Sequence, residues 1–349
     1  MEKKIVSFVI TARNDNYMGN SNWRLETTLN FIADQLQTIH RLPNAEIIVV
    51  DWASAQHLHE VITLTEAASQ IVRYIEVPTE IHETVNRGSS FPIPIAINAG
   101  IRRAYGTLIA LTSGDVLWTS DVLESFFHSD TGDRQSRETL NRSMVFVPRK
   151  NIPWDFVSQS PGTAELARYL AAEGTRLEVE PLMPFYFGCA GALVMHRDLW
   201  IECRGNDEKL VFWGYNDIDL NLRIRLKYSC IDYYQTQRMN VFHLEHYPSR
   251  NAAQSAPKKL NPHVFNPLTV NDENWGLAQY TFAEWPLRQE SDTAIMASGG
   301  KIRAVANFRL KHFANILSFV FSGFSKKHLL WSISILRDFL TDLLPSRNR

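Results

Sequence analysis

Three cysteines, Cys189, Cys203 and Cys230, are all that this 349-residue chain contains. No two form a C-x-x-C pair, so neither a disulfide framework nor a cysteine-built metal site is expected, and a reducing compartment is the natural setting. Charge of one sign is not in surplus either. The chain has 36 Lys and Arg against 37 Asp and Glu, which leaves no overall field with which to seek nucleic acid. No apolar run approaches the roughly 18 residues that a membrane span needs. The apolar run 5–10 follows Lys3 and Lys4 as in a signal peptide, but it stops at Thr11, and Arg13 and Asp15 follow with no small-residue cleavage site. A buried first strand explains it better, and the expected location is the cytoplasm. Neither G-x-G-x-x-G nor G-x-x-x-x-G-K-S/T follows any strand, so dinucleotide and P-loop sites lose their main support. Serine elbows of the form G-x-S-x-G and H-E-x-x-H helices are also absent. A nucleotide bound here needs another cation for its phosphates, and a divalent metal held by carboxylate and imidazole is the obvious choice.

What is present is an ordinary globular balance, 45% apolar and 21% charged, in a length that allows one large domain or two modest ones. The first 150 residues alternate apolar runs with amphipathic stretches. The runs 5–10, 46–50, 71–77, 108–111 and 144–147 read as buried strands. Trp23, Leu25, Leu29, Ile32, Leu36 and Ile39 recur at helical spacing, and 95–105 reads as another helix. Such alternation builds an α/β fold, a mostly parallel sheet with helices on both faces. Ligands of these sheets bind beyond the carboxyl ends of the strands. Three of those ends are polar: 11–16 (TARNDN), 51–54 (DWAS) and 112–115 (TSGD). Any one of them alone is an ordinary turn or helix cap; their repetition points to one crevice.

The second half carries more specific signals. GCAGALVMHRD at 188–198 leads through NDE at 206–208 into FWGYNDIDL at 212–220 and then Arg223. This resembles the G-W-G-x-E-D-x-D-L-x-x-R segment of inverting glycosyltransferases with the GT-A fold, of family 2 and galactosyltransferase type. VVDWAS at 49–54 is similar to the family's V-V-D-x-x-S strand end, and NAGIRRAYG at 98–106 to its N-x-G-x-x-x-A-x-G helix. SGD at 113–115 stands where the family keeps its D-x-D metal motif, and FHLEH at 242–246 resembles its late histidine motif. The order and spacing fit from residue 4 to about 250.

The resemblance implies a Rossmann-like GT-A sheet, a nucleotide-sugar donor, here a UDP-sugar, and a divalent metal, Mn²⁺ or Mg²⁺. It places Asp115 on the metal with His243, and His246 near the diphosphate. Ser113 replaces the first Asp of the motif. Asp51 matches the position that binds the base, where a carboxylate accepts from uracil N3–H, which cytosine lacks; Thr11 and Arg13 border the same pocket. Residues three apart cannot share a face of one strand, so His243 and His246 both reach the crevice only if the strand ends between them. Asp217 is the expected general base, since a helix start at Asn216 puts it in the first turn, where positive potential favours the carboxylate. Asp219, about 200° further round the helix, braces the loop. Asn216 stands where the family has Glu. Trp213 offers a ring for a sugar face or for core packing, and Asn98 and Asn216 join His246 and Trp213 as diphosphate or acceptor contacts.

The expected organisation is a GT-A domain over 1–289, with a nucleotide-binding half to about 150 and an acceptor half over 151–289, a linker at 290–300 and a tail at 301–349. The tail holds nine Lys or Arg against Asp338 and Asp342, a formal +7, leaving −8 for the rest. Two arrangements suit its short apolar segments: helices on an anionic membrane surface, or a helical pair packed on the domain or a second subunit. The first makes the chain peripheral on the cytoplasmic face and suits a lipid-linked acceptor as well as a glycan. Two rival functions remain. One is a catalytically inactive nucleotide- or glycan-binding relative, which the Ser113 and Asn216 departures allow. The other is a nucleotidyltransferase, for which 11–16 lacks the basic, glycine-rich loop a triphosphate needs.

Overall fold

A strand that is apolar on both faces demands cover on both sides. The computed structural model describes residues 3–127, 140–179, 192–246 and 259–286, together with 311–314, 316–317, 333, 336–337 and 339–340. Eleven strands are described: β1 (Val6–Ala12), β2 (Ala45–Trp52), β3 (Val72–Val77), β4 (Leu108–Thr112), β5 (Val116–Leu117), β6 (Ser143–Phe146), β7 (Arg149–Ile152), β8 (Ala192–His196), β9 (Ser229–Asp232), β10 (Val241–Leu244) and β11 (Ala283–Trp285). Eight of them form one sheet in the order β11-β3-β2-β1-β4-β8-β6-β9. Its centre, β3-β2-β1-β4, is parallel; β8 and β11 enter antiparallel toward the edges. All five strands expected from the apolar runs are present. Strands from the second half of the chain complete the same sheet.

Alternation along each central strand sorts its side chains onto two faces. Val6, Phe8 and Ile10 of β1, with Ile47 and Val49 of β2, meet Leu25, Leu29, Ile32 and Leu36 of the helix Ser21–Thr38. On the other face Val9, Ile48, Val50 and Trp52 meet Ile95, Ala96 and Ala99 of the helix Ile93–Arg102. That helix lies so close that a Cβ on Gly100 would stand 2.5 Å from Val9 Cγ1. It also ends earlier than its periodicity predicts. The amide of Tyr105 donates to Glu46 Oε1 at 2.5 Å, and that of Gly106 to Ser7 Oγ at 2.7 Å, which takes both out of helical bonding. Glu46 is itself a buried charge, held by Arg73 Nε at 3.0 Å and by the Ser7 hydroxyl.

A second, three-stranded sheet in the order β5-β10-β7 sits beyond β4. The helix Asn216–Ile224 begins at the expected residue. The linker 290–300, most of the tail 301–349, the segment 188–191 and Cys189 lie outside the described residues. The described tail residues are helical, and Ile316 and Phe339 are buried in one cluster with Tyr215, Ile218, Leu222 and Phe265. Of the two arrangements considered for the tail, these residues adopt packing on the domain. Among the described residues no helix is long and apolar enough to cross a membrane.

Candidate metal centre and active site

The parallel register sets Ala12 opposite Asp51, and β4 runs beside β1 on the other side, so the carboxyl ends of β1, β2 and β4 share one edge of the sheet. From the end of β4 the chain turns through Ser113, which is partly buried, and Gly114 to Asp115, then enters β5. There the small sheet takes over. Strand β10 lies between β5 and β7 and pairs His243 with Val116 on one side and with Asn151 on the other. The amide of Leu244 donates to Asp115 O at 2.8 Å, extending the ladder to the carboxylate residue. His243 is thereby fixed beside Asp115 by backbone pairing.

β10 ends at Leu244, and the turn through Glu245 brings His246 back to the same carboxylate. His243 Nε2 and His246 Nε2 stand 3.6 and 3.5 Å from Asp115 Oδ2. Among the described residues, these three form the group whose ligand atoms all lie within 4.8 Å of one another. His243 Nδ1 is 3.0 Å from Asn151 Oδ1. That contact leaves Nε2 facing Asp115, the arrangement that orients an imidazole ligand. His246 Nδ1 is buried with no hydrogen-bond partner among the described residues.

The electrostatics favour cation binding. Burial works to raise the Asp115 carboxyl, but the proximity of His243, His246 and Arg24 outweighs it and holds the group below the usual carboxylate range. Burial pushes His246 down to about 4, against the pull of Asp115. At neutral pH the site therefore offers one carboxylate and a neutral imidazole at His246. A carboxylate, two imidazoles and an orphaned buried nitrogen suit a divalent cation.

The nucleotide-side residues are held differently. Asp51 is buried: one oxygen accepts from Ser54 Oγ and the other from the Leu58 amide at 2.8 Å, with half-exposed His57 lying 3.5 Å away. Thr11 lies in β1, partly buried. Arg13 donates to Ser90 O at 2.6 Å, pairs with Asp15 at 2.7 Å and rests over the Phe91 ring.

On the acceptor side, Asp217 stands partly buried in the first turn of its helix, whereas Asp219 is buried and accepts from Arg223 Nε at 2.7 Å and Asn266 Nδ2 at 2.9 Å. The bracing expected of Asp219 is what it does. Asn216 meets the Asn261 side chain at 2.6 Å, and Asn261 holds the carbonyls of Phe212 and Gly214. Trp213 is 60% exposed beside Leu260, so it is not a core side chain. Asn98 is fully buried, its amide spent on Asn206 and on Glu208 Oε1 at 2.9 Å. Its side chain pins a loop and faces no crevice.

Sequence reasoning missed Asn151 and Arg24. Arg24 is buried beneath the centre, where it donates to Tyr17 O at 2.7 Å and to Gly19 O. Neither stands in a recognisable motif, and Asn151 comes beside His243 only through the pairing of β7 with β10.

The α/β sheet thus carries a carboxylate and two imidazoles at the edge of its parallel strands. The model of the family described as glycosyltransferase like family 2 matches residues 22–247, and the chain belongs to that family. No curated protein matches it. Among solved structures it is similar to TarS 1-349 of S. aureus in complex with UDP-GlcNAc, with 10% identity over 72% of this chain and 61% of that one and a TM-score of 0.46. It is also similar to glucosyl-3-phosphoglycerate synthase of Mycobacterium tuberculosis, in complex with Mn²⁺, UDP-glucose and phosphoglyceric acid. That match has 12% identity over 72% of this chain and 76% of the other, with a TM-score of 0.36. The chain spans about three fifths of the TarS chain.

Proposed function

We propose that the chain moves a sugar, with inversion, from a UDP-sugar to a hydroxyl of a glycan or lipid-linked acceptor, using Asp217 as general base. The observation that carries the reading is the convergence of Asp115, His243 and His246 at the carboxyl ends of the parallel strands, inside a family-2 domain. These three residues would hold a divalent cation, which when bound supplies charge neutralisation for the departing diphosphate. Two imidazoles among three ligands favour Mn²⁺ over Mg²⁺, which prefers oxygen alone.

The remaining work falls to the chain's own groups. The acceptor oxygen bonds to the anomeric carbon as that carbon's bond to the diphosphate oxygen breaks, and Asp217 accepts the hydroxyl proton. Thr11, Arg13, Asp51 and Ser113 border the nucleotide. For Asp51 to reach the base, the His57 ring has to move off it. The exposed Trp213 ring offers a face to a sugar, with Asn216 holding its loop, and His246 borders the diphosphate. In this reading residues 1–150 bind the nucleotide and 151–289 serve the acceptor.

The test is release of UDP from a panel of UDP-sugars, alongside GDP-sugars, with Mn²⁺ or EDTA, for wild type, Asp115→Ala and Asp217→Asn. Slow hydrolysis of one UDP-sugar that is lost with EDTA and in Asp115→Ala is the expected result. Asp217→Asn should lower transfer by about 10²–10⁴ while keeping Mn²⁺-dependent UDP binding. Absence of both hydrolysis and metal-dependent nucleotide binding would overturn the donor site and favour an inactive binding relative.

A further inference from the structure

We infer that four residues of the C-terminal tail, Lys311, His312, Ile316 and Phe339, act as a clamp that positions the helix Asn216–Ile224, and with it Asp217, for transfer. The inference rests on the reading of Asp217 as the base and adds to it a part of the chain that lies outside the family match, which ends at residue 247.

The nine-residue helix is held on two sides. On one, Asp219 and Arg223 form a buried pair whose guanidinium donates to the carbonyls of Cys203, Gly205 and Leu268. On the other, Tyr215, Ile218 and Leu222 recur at spacings of three and four and so form one stripe. The tail covers that stripe. Ile316 and Phe339, both buried, meet it together with Phe265, and the Phe265 and Phe339 rings cross edge to face at 5.0 Å.

Polar contacts tie the same segment to both ends of the helix. Lys311 Nζ donates to Leu226 O at 3.0 Å, just past the last turn, where a cation suits the negative end of the helix. At the other end the connection runs through one residue. Buried His312 bonds through Nε2 to Asn266 O at 2.8 Å, and Asn266 Nδ2 donates to Asp207 Oδ2 and to Asp219 Oδ1, at 2.8 and 2.9 Å. Asp219 is in the first turn, two residues from Asp217.

The cap itself needs support. Tyr215 sits at φ 70°, a region that costs a bulky residue energy and persists only where surroundings impose it. Its ring stacks on His263 at 3.5 Å and belongs to the cluster that the tail completes. No described tail residue lies in a strand, and the metal centre is built from β4, β5 and β10 with their adjoining turns. Loosening the clamp should therefore disturb Asp217 and spare donor binding.

The experiment uses the full chain with Phe339→Ala, Phe339→Leu and Asp217→Asn. It combines amide hydrogen exchange, calorimetry with UDP and Mn²⁺, and UDP release across pH. The expected result for Phe339→Ala is lost protection confined to 215–224, UDP affinity within about twofold of wild type, and kcat lower by about tenfold or more with a shifted pH profile. Phe339→Leu should restore most of each. Unchanged protection and kcat in Phe339→Ala would overturn the clamp. So would parallel loss of UDP binding and of protection across the central sheet, which marks general unfolding. An active Asp217→Asn beside an impaired Phe339→Ala would retire Asp217 as base and leave the clamp standing, now positioning another group on that helix.

Discussion

His243 depends on a neighbour that no motif names. Asn151 Oδ1 lies 3.0 Å from His243 Nδ1 and holds the ring in place, and such outer partners are worth about 10–100-fold in metal affinity. Asn151→Ala should weaken Mn²⁺ binding by that factor in calorimetry, with the fold intact. Glu46 gives a second test, at the opposite end of β2. Burial works to raise its carboxyl, but Arg73, Ser7 and the Tyr105 amide outweigh it and hold the group below its ordinary value of 4.5. A carboxyl whose folded value is depressed contributes stability that is whole above the unfolded value and is lost as pH falls toward the folded one. Denaturant titrations below pH 4.5 should therefore show a flatter acid limb for Glu46→Gln than for wild type, with lower stability at neutral pH, since Arg73 is left without its carboxylate. At this scale Asp115 and His243 were legible through the resemblance of 113–115 and 242–246 to family motifs, whereas His246, expected at the diphosphate, joins them in one group because the strand ends between the two histidines. Arg24 was not legible, since its role comes from chain folding over it. Asn98 was expected as a diphosphate or acceptor contact, but it is buried on Asn206 and Glu208, which lie in a loop more than a hundred residues away.

The helix Ile93–Arg102 and the three-stranded sheet differ sharply in how they announce themselves. The helix carries strong apolar periodicity and a glycine at the point of contact with β1. Gly100→Ala places a methyl 2.5 Å from Val9 Cγ1 and should cost about 1–3 kcal/mol by overpacking, read as a lower midpoint in urea with an unchanged slope. The central strands were legible for the same reason: Val and Ile on both faces leave no other reading. The small sheet was hidden. β5 is two residues long, and β7 reads Arg-Lys-Asn-Ile, with Lys150 buried by donating to Gly174 O at 2.8 Å. Its strands exist because they pair with β10, and pairing across nearly a hundred residues leaves no periodic trace. The element that builds the metal centre was thus the least readable one, even though the ligands themselves were not.

At the scale of the molecule, the second half of the chain completes a sheet begun by the first, and Ile316 and Phe339 of the tail pack on the helix Asn216–Ile224. The metal centre repeats this on a smaller scale. Asp115 and the two histidines come from stretches roughly 130 residues apart, a separation that costs closure entropy in the unfolded chain. An ion that binds all three joins these stretches in the folded state alone, so it acts as a removable cross-link. At a hundredfold excess over Kd, Mn²⁺ should add about 2.7 kcal/mol, worth several degrees in melting temperature for a chain of this size. Asp115→Ala should melt at one temperature with or without the ion. Cells short of the metal would then hold a protein that is not merely idle but also easier to unfold and degrade.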